Sequence, residues 1–361
     1  MTVGNSSGKE TSGALGDFII DPRDRILITG ANGFIGTQVV RILAEYGFTN
    51  LVCLARPSGQ STALEEVIRK SGVAGTEIHR GNLLSREDCR AITEGVSVVY
   101  HLAAGRGVKS YPDAFLNSVV SARNLVEACA EKKTIRRLVS VSSFTVYSNL
   151  ELNRGAVLDE TCAVDEQPEL RGEAYCYAKV KQDEQVMELC RRRGIPYVIV
   201  RPGVVFGPGN RGLTQRVGIG TFGVFLHLGG SNRIPFTYVD NCAEAIVLAG
   251  LRKGVDGEIF NVVDDDLPTS KEFLRLYKRH VRNFRSIPIP RSLSYLLCRL
   301  WEAYSIWSEG QLPPVFNRRR WASDWKGNRY SNEKLKRLLG WKPRVPFAEG
   351  SRHYFDHERG T

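Results

Sequence analysis

The sequence predicts an α/β fold, a doubly wound parallel sheet with a smaller lobe appended at its C-terminal side. Three observations predict it. Short apolar runs bounded by turn residues alternate with helical stretches through the first 200 residues. The first such run leads through three glycines directly into a helix. Beyond about Gly203 the alternation loosens into sequence richer in Gly, Pro, Trp and Arg. At 361 residues the chain is longer than a typical single domain, as one large domain with an appended lobe would be.

Strands are expected at RILIT (25–29), LVCLA (51–55), VSVVYHL (96–102), RLVSVS (137–142) and YVIV (197–200), with a shorter, more polar one at TEIHR (76–80). Helical patterns fill the intervals at 34–46, 62–70, 86–92, 113–131 and 174–192. Such alternation implies a parallel sheet covered by helices on both faces. Later, 207–213 and the Gly-rich 218–230 read as loops, EIFNVV (258–263) as a strand, and about 270–281 as a helix.

The hydrophobic fraction of 42% and charged fraction of 25% are ordinary for a globular protein. Residues 1–22 lack an apolar period and are expected to be a disordered tail without a secretory signal. No window approaches eighteen apolar residues, so no membrane span is expected and a cytoplasmic location is. The eight cysteines are scattered without CxxC spacing and read as reduced, mostly buried thiols, with no metal site. Charge is uneven: residues 271–344 hold 18 Lys and Arg against 5 Asp and Glu, a surplus larger than the chain's net +11. That basic segment suits an anionic substrate or a peripheral contact with a membrane surface, or is simply a solvated face; nucleic acid is not expected.

The strand at 25–29 runs into Gly30-Ala31-Asn32-Gly33-Phe34-Ile35-Gly36 and then a helix. Glycines at these places allow a tight turn, close approach of backbone N–H groups to a pyrophosphate, and tight helix packing. The helix N-terminus favours the phosphate charge. The pattern reads as a Rossmann-type nucleotide site rather than a Gly-rich turn without a ligand, and the expected division is 23–203, with part of 235–265 returning, as an NAD(P)-binding domain and 204–361 mainly as a substrate-binding lobe. The second strand ends Leu54-Ala55-Arg56-Pro57, without the acid that would hold a ribose 2′-hydroxyl. Arg56 can pair with a 2′-phosphate, favouring NADP(H) with NAD(H) as the alternative; stacking of Arg56 on adenine is the competing reading.

Hydride chemistry on a secondary alcohol needs a base for the hydroxyl proton, and a tyrosine serves only if a nearby cation stabilises its phenolate. In EAYCYAKVK (173–181), Tyr175 and Lys179 are four apart and share a helix face, whereas Tyr177 and Lys179 lie roughly 200° apart. Geometry selects Tyr175 and leaves Tyr177 to packing.

TGANGFIG, the YxxxK spacing and the motifs that follow resemble the extended short-chain dehydrogenase/reductases. That group holds the nucleotide-sugar epimerases and dehydratases and the 3β-hydroxysteroid dehydrogenases. Gly81-Asn82-Leu83, His101-Leu102-Ala103-Ala104, Asn117, and Arg201-Pro202-Gly203-Val204-Val205-Phe206-Gly207-Pro208 extend the resemblance over nearly the whole chain from Arg25. It implies catalysis by Ser143, Tyr175 and Lys179, with Lys179 lowering the Tyr175 pKa and binding the nicotinamide ribose. Cofactor contacts are implied for Gly30, Asn32, Gly33, Phe34, Ile35, Gly36, Arg56, Asn82, Leu83, Leu102, Ala103, Ala104, Asn117, Ser142, Tyr175, Lys179, Pro202 and Val205. A homodimer through helices 113–131 and 174–192 is implied too.

Three departures sort the branches. Dehydratases of the group carry Asp-Glu where this chain has Phe144-Thr145, so elimination lacks its acids. Val204 replaces the asparagine of nucleotide-sugar enzymes, making the pocket more apolar. Tyr238-Val239-Asp240-Asn241-Cys242-Ala243-Glu244-Ala245 resembles the steroid- and flavonol-type reductases. Against these, Arg318, Arg319 and Arg320 could clamp a diphosphate. The stretch 293–307 (LSYLLCRLWEAYSIW) is expected to be ordinary core, ahead of a greasy lid or a membrane-resting helix. The leading expectation is an NAD(P)-dependent oxidoreductase interconverting a secondary alcohol and a ketone on an apolar substrate. The alternative is a nucleotide-sugar epimerase; a non-catalytic dinucleotide-binding protein ranks below both.

Overall fold

The computed structural model describes residues 17–360 apart from 58, 60, 74, 106–109, 211, 222, 310 and 312–315. Its main sheet has seven strands: β1 (Arg25–Thr29), β2 (Leu51–Ala55), β3 (Glu77–Arg80), β4 (Val96–His101), β5 (Arg137–Val141), β6 (Tyr197–Pro202) and β7 (Ile259–Val262). All pair in parallel, in the order β7-β6-β5-β4-β1-β2-β3. The strand order reverses between β1 and β4, and a crevice opens beyond their carboxyl ends at such a point.

Alternation along the strands divides the core into two layers. Ile26 and Ile28, Val98 and Tyr100, and Val198 and Val200 face one side, where α1 (Phe34–Glu45), α2 (Thr62–Ser71) and the later helix Val239–Leu251 cover them. Leu27, Val99, Leu138 and Ile199 face the other, under α3 (Arg86–Ile92) and the helices that follow β4 and β5. Both faces are covered, which is why these strands read as continuous apolar runs.

After β4 come α4 (Tyr111–Phe115), a π-helical turn at Leu116–Val120 and α5 (Ser121–Ala130), where the sequence suggests one regular helix. Two serine hydroxyls account for the wider turn. Ser121 Oγ donates back to the Asn117 carbonyl at 2.9 Å, while Ser118 Oγ accepts the Gly105 N–H at 3.0 Å. The long α6 (Ala174–Arg193) follows the fifth strand and ends at Gly194, whose φ of +67° closes it in a left-handed turn.

The C-terminal part of the chain holds α7 (Val239–Leu251), α8 (Ser270–His280), α9 (Arg291–Trp307), α10 (Arg318–Trp325), α11 (Glu333–Leu339) and α12 (Phe347–Arg359); α7 and α11 pack on the sheet, and the others make up the smaller lobe. Its own core is aromatic, with Phe206, Phe236, Tyr238, Phe273, Tyr354 and Phe355 buried together. Buried Trp325 and Trp341 each satisfy the indole N–H on a backbone carbonyl, of Gln215 and Asn241 respectively, both at 3.0 Å.

Four expectations are revised. Of the expected tail, residues 1–16 lie outside the described residues, but Phe18 and Ile20 are buried in the main core and the Ile19 N–H donates to the Leu251 carbonyl at 2.8 Å. The glycine-rich 218–230 is not all loop: Gly218–Thr221 and Val224–His227 form an antiparallel pair, and Ser286–Pro288 joins it in parallel. The helix expected over 113–131 is interrupted as described. Finally, α9 is not core; it rests on the lobe through Ser294, Cys298 and Ser305 and turns its large apolar side chains outward. Among the described residues no helix is long and apolar enough to cross a membrane. All eight cysteines are free, and all but Cys162 are buried.

Candidate active site

A cavity of about 340 Å³ opens at the carboxyl ends of β1 and β4. Its floor is the loop between β1 and α1. Gly30 has φ +71°, and a Cβ there would sit 2.9 Å from the Ala103 nitrogen; a Cβ on Gly36 would collide with the Gly30 carbonyl oxygen. The Gly33 N–H donates to the Gly30 carbonyl at 2.9 Å, closing the turn. The α1 N-terminus has no side-chain cap, and its first residues Phe34, Ile35 and Gly36 line the cavity. This glycine cradle fits the pyrophosphate of a dinucleotide.

Every site residue expected from the sequence lines this cavity. Gly30, Asn32, Gly33, Phe34, Ile35 and Gly36 form its floor; Arg56, Asn82 and Leu83 one end; Leu102, Ala103, Ala104 and Asn117 one wall; Ser142, Ser143, Tyr175, Lys179, Pro202 and Val205 the other end. Leu54, Gly81, Gly105, Ser121, Val141 and Gly203 also line it and were not singled out. A signal existed for Gly81 and Gly203, which stand inside recognisable motifs; at Gly203 a Cβ would strike the Pro235 carbonyl. Gly105 and Ser121 had none, since both depend on the π turn.

The polar residues are held in specific ways. Asn117 Nδ2 donates to the Asp113 carbonyl at 3.0 Å and to its carboxylate at 3.2 Å. Asn82 Oδ1 accepts the Leu84 N–H at 3.0 Å, so one of its acceptor positions is already used locally. Arg56 is exposed at the cavity mouth.

At the other end, Ser143 Oγ accepts the Thr145 N–H at 3.2 Å and contacts the Tyr175 hydroxyl. Burial pushes the Tyr175 phenol up to about 12, opposed by the Ser143 hydrogen bond and reinforced by the Asp183 charge. Burial pushes the Lys179 ammonium down to about 8, with Asp183 opposing. Lys179 Nζ lies 6.0 Å from the Tyr175 ring centre and donates to the Val141 carbonyl and to Gln182 Oε1. Burial is the largest influence on the Tyr175 phenol. Ser142 Oγ donates to Asp183 Oδ2 at 2.8 Å, which also accepts two hydrogen bonds from buried Arg201 at 3.1 Å. This buried carboxylate thus ties β5, α6 and β6 together directly behind Lys179. Tyr177 packs against Tyr111 and Phe115, at ring separations of 5.7 and 6.3 Å.

The three arginines considered for a diphosphate clamp are engaged within the protein. Arg318 donates to Glu302 at 2.7 Å, Arg319 to Asp165 and Gln167 at 2.7 Å each, and Arg320 to Gln215 at 2.5 Å.

A parallel sheet in this order, a glycine cradle at its switch point, and a serine, tyrosine and lysine lining the same cavity are features of the extended short-chain dehydrogenase/reductase type. The chain belongs to the NAD dependent epimerase/dehydratase family, whose sequence model matches residues 26–262. It is 30% identical over 187 residues to cinnamoyl-CoA reductase 2 of Medicago truncatula, covering 51% of this chain and 54% of that protein. The match thus spans about half the length of that relative. It is 24% identical over 353 residues to 3beta-hydroxysteroid-dehydrogenase/decarboxylase isoform 1 of Arabidopsis thaliana, covering 91% of this chain and 78% of that protein. In fold it is similar to UDP-glucuronic acid 4-epimerase from Bacillus cereus, solved in complex with UDP-glucuronic acid and NAD. There the TM-score is 0.69 and the identity 19%, over 93% of this chain and 99% of that one.

Proposed function

We propose that the protein is an oxidoreductase that interconverts a secondary alcohol and a ketone, using NADP(H) in preference to NAD(H). The observation that carries this reading is the meeting of the glycine cradle, Arg56 and the Ser143–Tyr175–Lys179 group in one cavity. A bound nicotinamide dinucleotide would supply or accept the hydride. Its pyrophosphate would lie over Gly30–Gly36, and Arg56 would pair with a 2′-phosphate. Ser143 hydrogen-bonds the substrate oxygen, and Tyr175, which keeps its proton at neutral pH, donates that proton to a forming alkoxide. In the reverse direction Tyr175 accepts it, and the Lys179 charge stabilises the resulting phenolate.

Reduction is favoured over elimination because Phe144 and Thr145 carry no carboxylate at the end of β5. It is favoured over epimerisation of a nucleotide sugar because Arg318, Arg319 and Arg320 already have partners and Val204 offers no hydrogen bond to a diphosphate. The test is absorbance at the reduced-nicotinamide band. Stoichiometric loss of added NADPH with a ketone, abolished in Tyr175→Phe, supports the proposal. Dinucleotide that stays bound through purification without net turnover points to the epimerase instead.

A further inference from the structure

We propose that the outward face of α9, together with a basic pocket at its first turn, seats the protein on the surface of an anionic lipid membrane. The proposal does not rest on the chemistry assigned to the cavity.

α9 is built inside out. Its buried line is Ser294, Cys298 and Ser305, while the opposite face carries Leu293, Leu296, Leu297, Leu300, Tyr304 and Trp307. Leu300 is 58% exposed, Ile306 74% and Trp307 78%. Scattered apolar residues on a surface need no explanation, but a contiguous stripe along a 17-residue helix does. At 1.5 Å per residue the stripe runs roughly 20 Å. Aromatic rings gather at its C-terminal end, where Tyr304 and Trp307 lie 5.6 Å apart. Rings of this kind suit the boundary between headgroups and acyl chains.

Charge identifies the occupant. Arg299 is the sole charge on the exposed part of α9; its acid, Glu302, is turned inward and paired with Arg318. Beside the first turn a pocket of about 500 Å³ is lined by Arg154, Arg291, Arg318 and Lys326 over Tyr295 and Trp321. The Arg291 guanidinium stacks on the Trp321 ring at 5.3 Å, and its Nε is buried without a hydrogen-bond partner. Lys326 Nζ donates to the carbonyls of Asn149 and Leu150. No ion pair to Arg154, Arg291 or Lys326 is present among the described residues. Burial, and then the Arg154 charge, hold Arg291 below its ordinary pKa, while the carboxylates near the pocket are Glu302, paired with Arg318, and Glu151, which acts on Lys326. Such a concavity accepts a phosphate group. A second copy of the chain would bring the same positive charges to this face, whereas anionic phospholipid offers both a phosphate for the pocket and an apolar layer for the stripe.

The experiment is co-sedimentation of the full-length protein with phosphatidylcholine vesicles, with and without about a third phosphatidylserine. Binding to the anionic vesicles is expected, with a blue shift of tryptophan emission and a loss of about 10-fold or more in affinity at high salt. Leu300→Glu with Trp307→Glu should reduce binding by at least about 10-fold with an unchanged melting temperature, since neither side chain supports the core. Arg154→Glu with Arg291→Glu should abolish the preference for anionic vesicles. Failure of the wild-type protein to sediment at low salt overturns the proposal. So does a dimer that becomes monomeric in the Leu300→Glu, Trp307→Glu variant without vesicle binding, and so does stabilisation by inorganic phosphate alone with no vesicle binding.

Discussion

Lys179 Nζ lies 6.0 Å from the Tyr175 ring centre and is anchored 2.7 Å from the Val141 carbonyl. Burial brings this ammonium down to about 8, whereas the phenol is held up at about 12. In the reducing direction both groups must keep their protons. Turnover with a ketone should therefore fall above about pH 8, as Lys179 loses its charge, while Tyr175 stays protonated throughout. Lys179→Arg, whose charge does not titrate, should retain a flat profile in whatever activity remains. Tyr175→Phe should lower turnover about 10²–10⁴-fold with dinucleotide binding preserved. A pH profile unchanged by Lys179→Arg would remove Lys179 from the proton relay.

Gly30→Ala tests the cradle. The substitution puts a Cβ in a left-handed conformation against the Ala103 nitrogen, costing about 1–2 kcal/mol from the conformation alone. The expected result, read by fluorescence titration and thermal melting, is dinucleotide affinity at least about 10-fold weaker and a melting temperature a few degrees lower. Unaltered affinity would mean that the ligand lies elsewhere.

Arg56→Asp addresses cofactor choice. Replacing a cation at the mouth of the cavity by an anion should weaken NADPH binding by about 10-fold to 100-fold, equivalent to a charge-assisted hydrogen bond of about 1.5–3 kcal/mol, and leave NADH far less affected. Parallel titrations measure it. Equal losses for both cofactors would assign Arg56 to the adenine.

Asp264 controls a pH response of the fold. It is buried and accepts hydrogen bonds from Thr237, Asn241 and the Tyr238 N–H, yet burial still raises its carboxyl to about 7. The folded chain holds this proton where the unfolded chain has released it, so the group's contribution is complete below about pH 4 and lost as pH rises toward 7. Between pH 5 and 8 the wild type should lose stability relative to Asp264→Asn, narrowing or reversing whatever gap separates their melting temperatures. A gap that is constant across this range contradicts the assignment.

The candidate site was legible because its signals are local. A glycine triplet between a strand and a helix, and a tyrosine four residues before a lysine, each specify geometry within a few residues of chain. The Asp183–Arg201–Ser142 group was not, since it joins three elements whose proximity only the sheet order creates. Periodicity also told where the apolar stripe of α9 lies, but not what covers it. The short side chains Ser294, Cys298 and Ser305 bring the helix against the lobe on its polar line, the reverse of the usual rule. Phe18 and Ile20 were hidden for a different reason: two residues are too few to show a period, yet one bridge to Arg252 places them in the core.

The π turn at Leu116–Val120 works as a phase shifter. At its start the turn presents Asn117 to the cavity; downstream of it, Ala122, Leu125, Val126 and Cys129 must meet the sheet. A regular helix repeats every 3.6 residues and would hold those two faces in one fixed angular relation. The wider turn inserts about one residue of rotation between them, so ligand side and core side are set separately. Deleting a single residue from 118–120 would leave both ends of the segment intact and would still turn one of the two faces away from its target.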